Sequence, residues 1–140
     1  MEKFIDSPMV KSLCNITNVM YNKGWDERNG GNISWIIDDD KVAPFLDGFT
    51  GNTRNIALPF TVEALAQRYL LVTGTGKYFK NIKADPQDTL GLIQIAADGK
   101  SYDILWGFVN GAYATSELPT HLMNHAQRLA VDENHRVIMH

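Results

Sequence analysis

A β-hairpin signal in the second half of the chain constrains the fold more than any other feature of the sequence. Apolar runs at residues 92–96 and 102–106 flank the pair Asp98-Gly99. A turn pair of this kind between two apolar runs is typical of adjacent antiparallel strands. Three more short apolar runs predict strands of the buried type, at residues 33–37, 69–72 and 136–139.

Capping signals predict two helices. Ser7 can accept a hydrogen bond from the first turn of a helix that begins at Pro8, where proline needs no N–H. Ser116 is predicted to cap a second helix that begins at Glu117, with Pro119 in its first turn. The apolar face of the first helix comprises Val10, Leu13, Cys14, Thr17 and Met20 or Tyr21. That of the second comprises Leu118, Leu122, Ala126 or His125, and Leu129.

The order of these elements is helix, strands, hairpin, helix and strand. This order predicts an α/β or α+β domain with a largely antiparallel sheet. We interpret the acidic run at residues 38–40 as a solvated turn. Residues 43–63 are interpreted as an irregular segment with at most one short strand.

The bulk composition is that of one globular domain. The chain has 140 residues, of which 44% are hydrophobic and 21% are charged. The sequence shows no signal peptide and no apolar run near the ~18 residues that span a bilayer, so no membrane partner is expected. The single cysteine, Cys14, fits a reducing cytosol, and we expect a cytoplasmic protein. A net charge of −3 without a basic patch argues against nucleic acid as a partner.

Three segments can bind an anion through backbone N–H groups. The N-terminus of the second helix combines such groups with the hydroxyls of Thr115 and Ser116 and the carboxylate of Glu117. The Gly30-Gly31 pair between two asparagines can form an anion-binding nest, or only a turn. The glycine-rich loop at residues 73–77 can hold a phosphate, or form a glycine turn beside a surface lysine.

Three of the four histidines carry a signal, and these three are of two kinds. His140 follows a predicted strand, and a strand end is where a metal ligand meets a cleft. One hypothesis is therefore a metal and phosphate site with Glu117 as proton carrier; the alternative is a capped helix and an ordinary surface histidine. His121 and His125 share one helix face, but the second residue of a metalloprotease helix motif is Leu122 instead of glutamate. We interpret both as polar positions beside an apolar stripe.

Four segments together resemble the class II aldolase and adducin-like family, and within it the enzymes that cleave L-rhamnulose 1-phosphate. They are residues 24–32 (GWDERNGGN), 73–79 (TGTGKYF), 115–121 (TSELPTH) and 136–140 (RVIMH). The resemblance implies a three-layer α/β/α fold with a central, mostly antiparallel sheet, a Zn²⁺ ion and a homo-tetramer. It implies reversible cleavage of this phosphorylated ketose to dihydroxyacetone phosphate and L-lactaldehyde.

The resemblance also implies site roles, position by position. Glu117 would be the catalytic acid/base and His140 a zinc ligand, whereas His121 and His125 match histidines that are not ligands. The phosphate would be held by Asn29, Asn32, Thr75, Thr115 and Ser116, together with the backbone of Gly30 and Gly31. Thr75 stands where family members more often have serine, and the hydroxyl is retained.

The family continues beyond the position of His140 with two more histidines. We therefore expect residues 1–140 to be a single class II aldolase-like domain that is the N-terminal part of a longer enzyme, with a fold that is incomplete at its C-terminus. With His140 and Glu117 alone, zinc would lack two of its usual protein ligands. Alternatives are an inactive fragment, a non-catalytic adducin-like binding module, and a related sugar-phosphate aldolase or epimerase.

Overall fold

The local signals at the start of the chain produce the first helix as expected. In the computed structural model, helix α1 spans Pro8–Asn22, and Ser7 Oγ accepts a hydrogen bond from the Val10 N–H at 3.4 Å. The predicted cap is thereby confirmed. Four residues of the predicted apolar face are buried: Val10, Leu13, Cys14 and Thr17. The structure describes residues 3–22, 32–49, 54–74, 86–109, 114–115, 117–134 and 136–139.

In the described part of the chain, six strands form one sheet in the order β2-β5-β4-β3-β1-β6, and all of the pairings between these strands are antiparallel. The strands are β1 (Ile33–Ile37), β2 (Arg54–Ala57), β3 (Tyr69–Thr73), β4 (Leu90–Ile95), β5 (Ser101–Gly107) and β6 (Val137–Met139). The predicted hairpin is confirmed as the β4–β5 pair, and Gly99 in its turn has a φ of +70°. Three further helices are α2 (Asp39–Val42), α3 (Pro86–Thr89) and α4 (Leu118–Val131).

The alternation of side chains along the strands divides the core into two layers. One layer packs α1 and the aromatic ring of Phe4 against the face of the sheet that carries Ile33, Ile37 and Leu71. The other layer packs α4 against the opposite face, which carries Ile36, Leu70 and Val72. The sheet therefore lies between two helical layers, and the expected three-layer α/β/α fold is confirmed.

The acidic run at residues 38–40 differs from the prediction. Asp38 is the N-cap of the short helix α2, and Asp39 and Asp40 form its first turn. Carboxylates are stabilised at a helix N-terminus, where backbone N–H groups carry partial positive charge. Asp38 also forms an ion pair with Arg136 at 2.8 Å, which joins the end of β1 to the residue before β6.

The segment at residues 43–63 contains one short strand, as expected, but also two 3₁₀ turns. These turns span Ala43–Gly48 and Glu63–Leu65. Each places an apolar side chain in the core, since Phe45 and Leu65 are buried. Residues 50–53 lie outside the described part of the chain.

The open end of the β4–β5 hairpin, opposite its turn, requires glycine at two positions. Gly107 has a φ of +86°, and a Cβ there would lie 2.1 Å from the Leu90 carbonyl oxygen. At Gly91 a Cβ would lie 2.2 Å from the ring of Phe108, which is itself buried. Both positions therefore exclude any side chain, because the contacts would be far closer than van der Waals distance.

Candidate functional site

The start of β1, the end of β3 and the end of β6 lie side by side at one edge of the sheet. Ile33 pairs with Met139 across the β1–β6 ladder. The Ile33 N–H donates to the Thr73 side-chain oxygen at 3.1 Å. We call the edge formed by Asn32, Ile33, Thr73 and Met139 the site edge.

The N-terminus of α4 is held against the site edge by backbone contacts. Gly74 forms an isolated antiparallel bridge with Ala114, and the Thr115 N–H donates to the Thr73 carbonyl at 2.9 Å. The Glu117 N–H in turn donates to the Thr115 side-chain oxygen at 3.3 Å. A 14-residue helix thus begins at this edge, with a carboxylate-bearing residue at its N-cap.

The predicted start of this helix is corrected by one residue. The helix begins at Leu118, and Glu117 is the N-cap with a ψ of 0°. The N-cap side chain accepts no hydrogen bond from the first turn, and the Thr115 hydroxyl accepts from the N–H of the N-cap residue Glu117 itself. The predicted cap Ser116 lies outside the described residues, whereas the placement of Pro119 in the first turn is confirmed.

A line of four polar side chains connects α4 to β1 at the site edge. His121 Nε2 forms a short hydrogen bond with Asn32 Oδ1, and His121 Nδ1 lies 2.6 Å from Ser34 Oγ. His125 Nε2 lies 2.7 Å from the same hydroxyl oxygen. All four side chains are buried, with exposed fractions between 0% and 7%. We call this line the Asn–His–Ser–His chain.

The positions of the two histidines correct the prediction from the sequence. They do not flank the apolar stripe of α4 but form part of its buried face, together with Leu118 and Leu122. The signal that identifies their partners is the polar pair Asn32 and Ser34, because residues two apart on a strand share one face of the sheet. That signal becomes informative only when α4 is known to cover this face.

The described residues alone do not fit a metal ion. Across these segments no group of three or more histidine, cysteine, aspartate or glutamate side chains is placed to hold one. Three of the ring nitrogens of His121 and His125 are engaged in the Asn–His–Ser–His chain. That neither histidine is a metal ligand stays a prediction. The predicted ligand His140 directly follows β6 in sequence and lies outside the described residues.

The predicted phosphate-binding residues divide into two groups. Asn32 and Thr115 lie at the site edge, which also holds Glu117. The others lie outside the described part of the chain: Asn29, Gly30, Gly31, Thr75 and Ser116. In sequence, Gly31 directly precedes Asn32, and Thr75 directly follows the bridged residue Gly74.

A cavity of about 500 Å³ lies elsewhere, on the α1 face of the sheet. It is lined by Pro8, Met9, Ser12, Trp35, Lys41, Pro44 and Phe45. None of the predicted site residues is among them, so this cavity is not the site that the sequence predicts. Among the described helices, none combines the length and apolar character needed to cross a bilayer.

Comparison with known proteins identifies relatives across nearly the whole chain. A family model described as "Class II Aldolase and Adducin N-terminal domain" matches residues 11–140. The rhamnulose-1-phosphate aldolase of Listeria innocua serovar 6a is 46% identical over 136 residues, which cover 97% of this chain and 50% of that protein. The rhamnulose-1-phosphate aldolase of Mannheimia succiniciproducens is also 46% identical, over 141 residues that cover 100% of this chain and 52% of that protein.

A solved structure supports the same relationship. The crystal structure of a sugar-phosphate aldolase from Thermotoga maritima matches with a TM-score of 0.75 and 30% sequence identity. The match covers 94% of this chain and 53% of that chain. The chain spans about half the length of the relatives that it matches.

Proposed function

The chain belongs to the class II aldolase and adducin N-terminal domain family, and from this premise we propose that it is the N-terminal domain of a zinc-dependent aldolase. The proposed reaction is the reversible cleavage of L-rhamnulose 1-phosphate to dihydroxyacetone phosphate and L-lactaldehyde. The observation that carries the proposal is that two predicted phosphate-binding residues are both bonded to the start of α4. Asn32 Oδ1 is bonded to His121, and Thr115 Oγ1 accepts from the N–H of the N-cap residue Glu117. The names of the relatives support the choice of substrate.

We propose that the phosphate of the substrate binds at the site edge. The N-terminus of a long helix favours an anion, because its first N–H groups lack intrahelical partners and carry partial positive charge. Asn32 and Thr115 add a side-chain amide and a hydroxyl at this place. The remaining proposed phosphate contacts are Asn29, Gly30, Gly31, Thr75 and Ser116. Such contacts orient the substrate and supply binding energy.

Glu117 is the proposed acid/base. Cleavage of the carbon–carbon bond leaves an enediolate on the dihydroxyacetone phosphate portion, and a proton must be delivered to its carbon before that product leaves. A carboxyl group beside the bound phosphate can deliver this proton and remove it again in the synthetic direction. The half-buried position of Glu117 at the helix N-cap supports this role.

A metal ion, zinc in this proposal, completes the site with His140 as one of its ligands. When bound, it supplies Lewis-acid stabilisation of the negative charge that develops on the substrate oxygens. We further propose a homo-tetramer in the cytoplasm. These parts of the proposal are supported by the resemblance to the family and not by the described residues.

The proposal is tested by Glu117→Gln in the intact protein that contains this chain. The amide keeps the size of the side chain but cannot act as a general acid or base. We therefore expect kcat for aldol cleavage to fall by at least about 100-fold. Binding of inorganic phosphate, measured by calorimetry, should remain near wild type. The matched control is Glu133→Gln, an exposed carboxylate after α4, which should leave cleavage unchanged.

Product analysis in the same assay separates the alternatives. Dihydroxyacetone phosphate and L-lactaldehyde identify the aldolase, whereas an isomeric sugar phosphate would identify an epimerase. Cleavage by Glu117→Gln at the wild-type rate would remove Glu117 from the mechanism.

A further inference from the structure

The Asn–His–Ser–His chain is a polar structure within an otherwise apolar helix–sheet contact. Its members are 7%, 1%, 0% and 0% exposed for Asn32, His121, Ser34 and His125 respectively. Around them the same contact is made by Ile36, Leu118 and Leu122. Buried polar groups require hydrogen-bond partners, and here partners are supplied between residues 87 to 91 positions apart in sequence.

The atoms that face one another give the hydrogen bonds one consistent direction when the His121 ring is neutral. Asn32 presents its carbonyl oxygen Oδ1 to His121 Nε2, and an amide oxygen only accepts, so Nε2 carries the hydrogen. In a neutral imidazole the other nitrogen is then an acceptor. In that state the Ser34 hydroxyl donates to His121 Nδ1, 2.6 Å away, and its oxygen accepts from His125 Nε2–H, 2.7 Å away.

This direction determines which group Asn32 has left for a ligand. Because its oxygen is bound to His121, its NH₂ group is the part that is available for another partner. If every donor in the chain were reversed, the NH₂ group would bind His121 and the oxygen would be left instead. A phosphate accepts hydrogen bonds and repels a carbonyl oxygen, so only the inferred direction suits phosphate binding.

We propose that His121 is a positioning residue for the phosphate subsite: its Nδ1 is bound to Ser34, and its Nε2–H holds Asn32 so that the amide NH₂ group serves the phosphate. The inference rests on the proposed function in one respect, namely that Asn32 contacts the phosphate. His121 itself touches no substrate in this account. It acts through the orientation of Asn32.

Two substitutions separate the two ring nitrogens of His121. In His121→Gln, the side-chain amide reaches the position of Nε2 and can still donate to Asn32 Oδ1. In His121→Asn, the shorter amide reaches the position of Nδ1 beside Ser34 and leaves Asn32 without its donor. The matched control for asparagine in this helix is Gln127→Asn, at an exposed position of α4.

Calorimetric titration of the intact protein with inorganic phosphate gives the first readout. We expect His121→Asn to weaken the affinity about tenfold, as the loss of one well-placed hydrogen bond does. His121→Gln should lose less than about threefold, and Gln127→Asn should bind as wild type. In the cleavage assay, His121→Asn should raise KM more than it lowers kcat.

The ¹⁵N resonances of His121 in the wild-type protein give a second readout, which requires no variant. We expect a neutral ring with its proton on Nε2; a proton on Nδ1 instead would overturn the proposed direction. If Asn32→Ala loses phosphate affinity while His121→Asn does not, the positioning role is wrong and the proposed phosphate site stands. If Asn32→Ala binds phosphate as wild type, the assignment of Asn32 to the phosphate fails, and with it the positioning role, whereas the resonances still decide the direction.

Discussion

Helices α1 and α4 cover opposite faces of one sheet, and both bury polar side chains against it. On α1 the hydroxyl of Thr17 donates to the carbonyls of Leu13 and Cys14 in its own helix, at 2.9 and 3.1 Å. On α4 the rings of His121 and His125 bond instead to Ser34 on the sheet. The hydrogen bonds of Thr17 are therefore internal to a helix, whereas those of the histidines fix how a helix sits on a strand.

The apolar contacts of the two faces also indicate different roles for them. The α1 face gathers aromatic rings around Phe4, whose centroid lies 5.0 Å from that of Trp106 and 5.4 Å from that of Phe45. No residue of the Asn–His–Ser–His chain belongs to this face. The comparison indicates that the α1 face chiefly stabilises the domain, whereas the α4 face also positions the site edge.

The largest change in the free energy of unfolding is expected from a cavity on the α1 face. Leu13→Ala removes a side chain that is 1% exposed and should cost about 3 kcal/mol of the free energy of unfolding. The folded fraction should still bind phosphate normally, as measured by urea unfolding and calorimetry. Ile16→Ala, at an exposed position of the same helix, should cost less than about 1 kcal/mol. A loss of phosphate affinity in folded Leu13→Ala would contradict the division between the faces.

Ser34→Ala is expected to lower stability by less than Leu13→Ala does, and to weaken phosphate binding as well. The change removes the hydroxyl that both histidines contact and should cost about 2 kcal/mol. It should also weaken phosphate binding, because the ring of His121 loses the contact that fixes it beside Asn32. The matched change on the other face is Thr17→Val, which removes a hydroxyl bonded within its own helix and should cost less than about 1 kcal/mol. Equal behaviour of the two variants would remove the distinction between the faces.

The smallest expected change in stability concerns the pH dependence that Tyr69 contributes. This residue packs against the α1 face at the start of β3. Burial, and secondly the carboxylate of Asp39, raise the pKa of Tyr69 above its ordinary 10.0. Its contribution to stability is therefore complete below about pH 10 and is lost as the pH rises through the folded-state pKa. Tyr69→Phe should make the free energy of unfolding fall less steeply above about pH 10 in urea titrations. Parallel curves for the variant and the wild type would show that Tyr69 does not contribute.

Sequence patterns predict those parts of the fold that depend on near neighbours. The cap at Ser7, the strand β1 and the turn at Gly99 each follow from residues within one short segment. The second long helix begins at Leu118, one residue after its predicted start, because Glu117 has a ψ of 0° and takes the N-cap position. The acidic run after β1 was interpreted as a turn because a four-residue helix has too few positions to show a period.

The site was predictable only in part. Motif resemblance placed Asn32, Thr115 and Glu117 in one site, and the topology brings their segments to one edge of the sheet. Helical spacing offers His125 as a candidate for the buried face of the second long helix, and the structure confirms its burial. The partner of both buried histidine rings is Ser34, which is far away in sequence, so periodicity alone could not reveal these hydrogen bonds. The role of Glu117 stays a prediction that the Glu117→Gln experiment addresses, and the role of His140 stays a prediction.

The two glycines at the open end of the β4–β5 hairpin have a practical consequence for protein engineering. Gly91 and Gly107 leave no room for a methyl group. In a library that randomises these two positions, nearly every clone without both glycines would therefore fail to fold. Anyone transplanting the sheet into a new scaffold should therefore copy both glycines unchanged, together with Phe108. Sequence diversity is better introduced on the outer surface of α4, where Met123 and Gln127 are exposed.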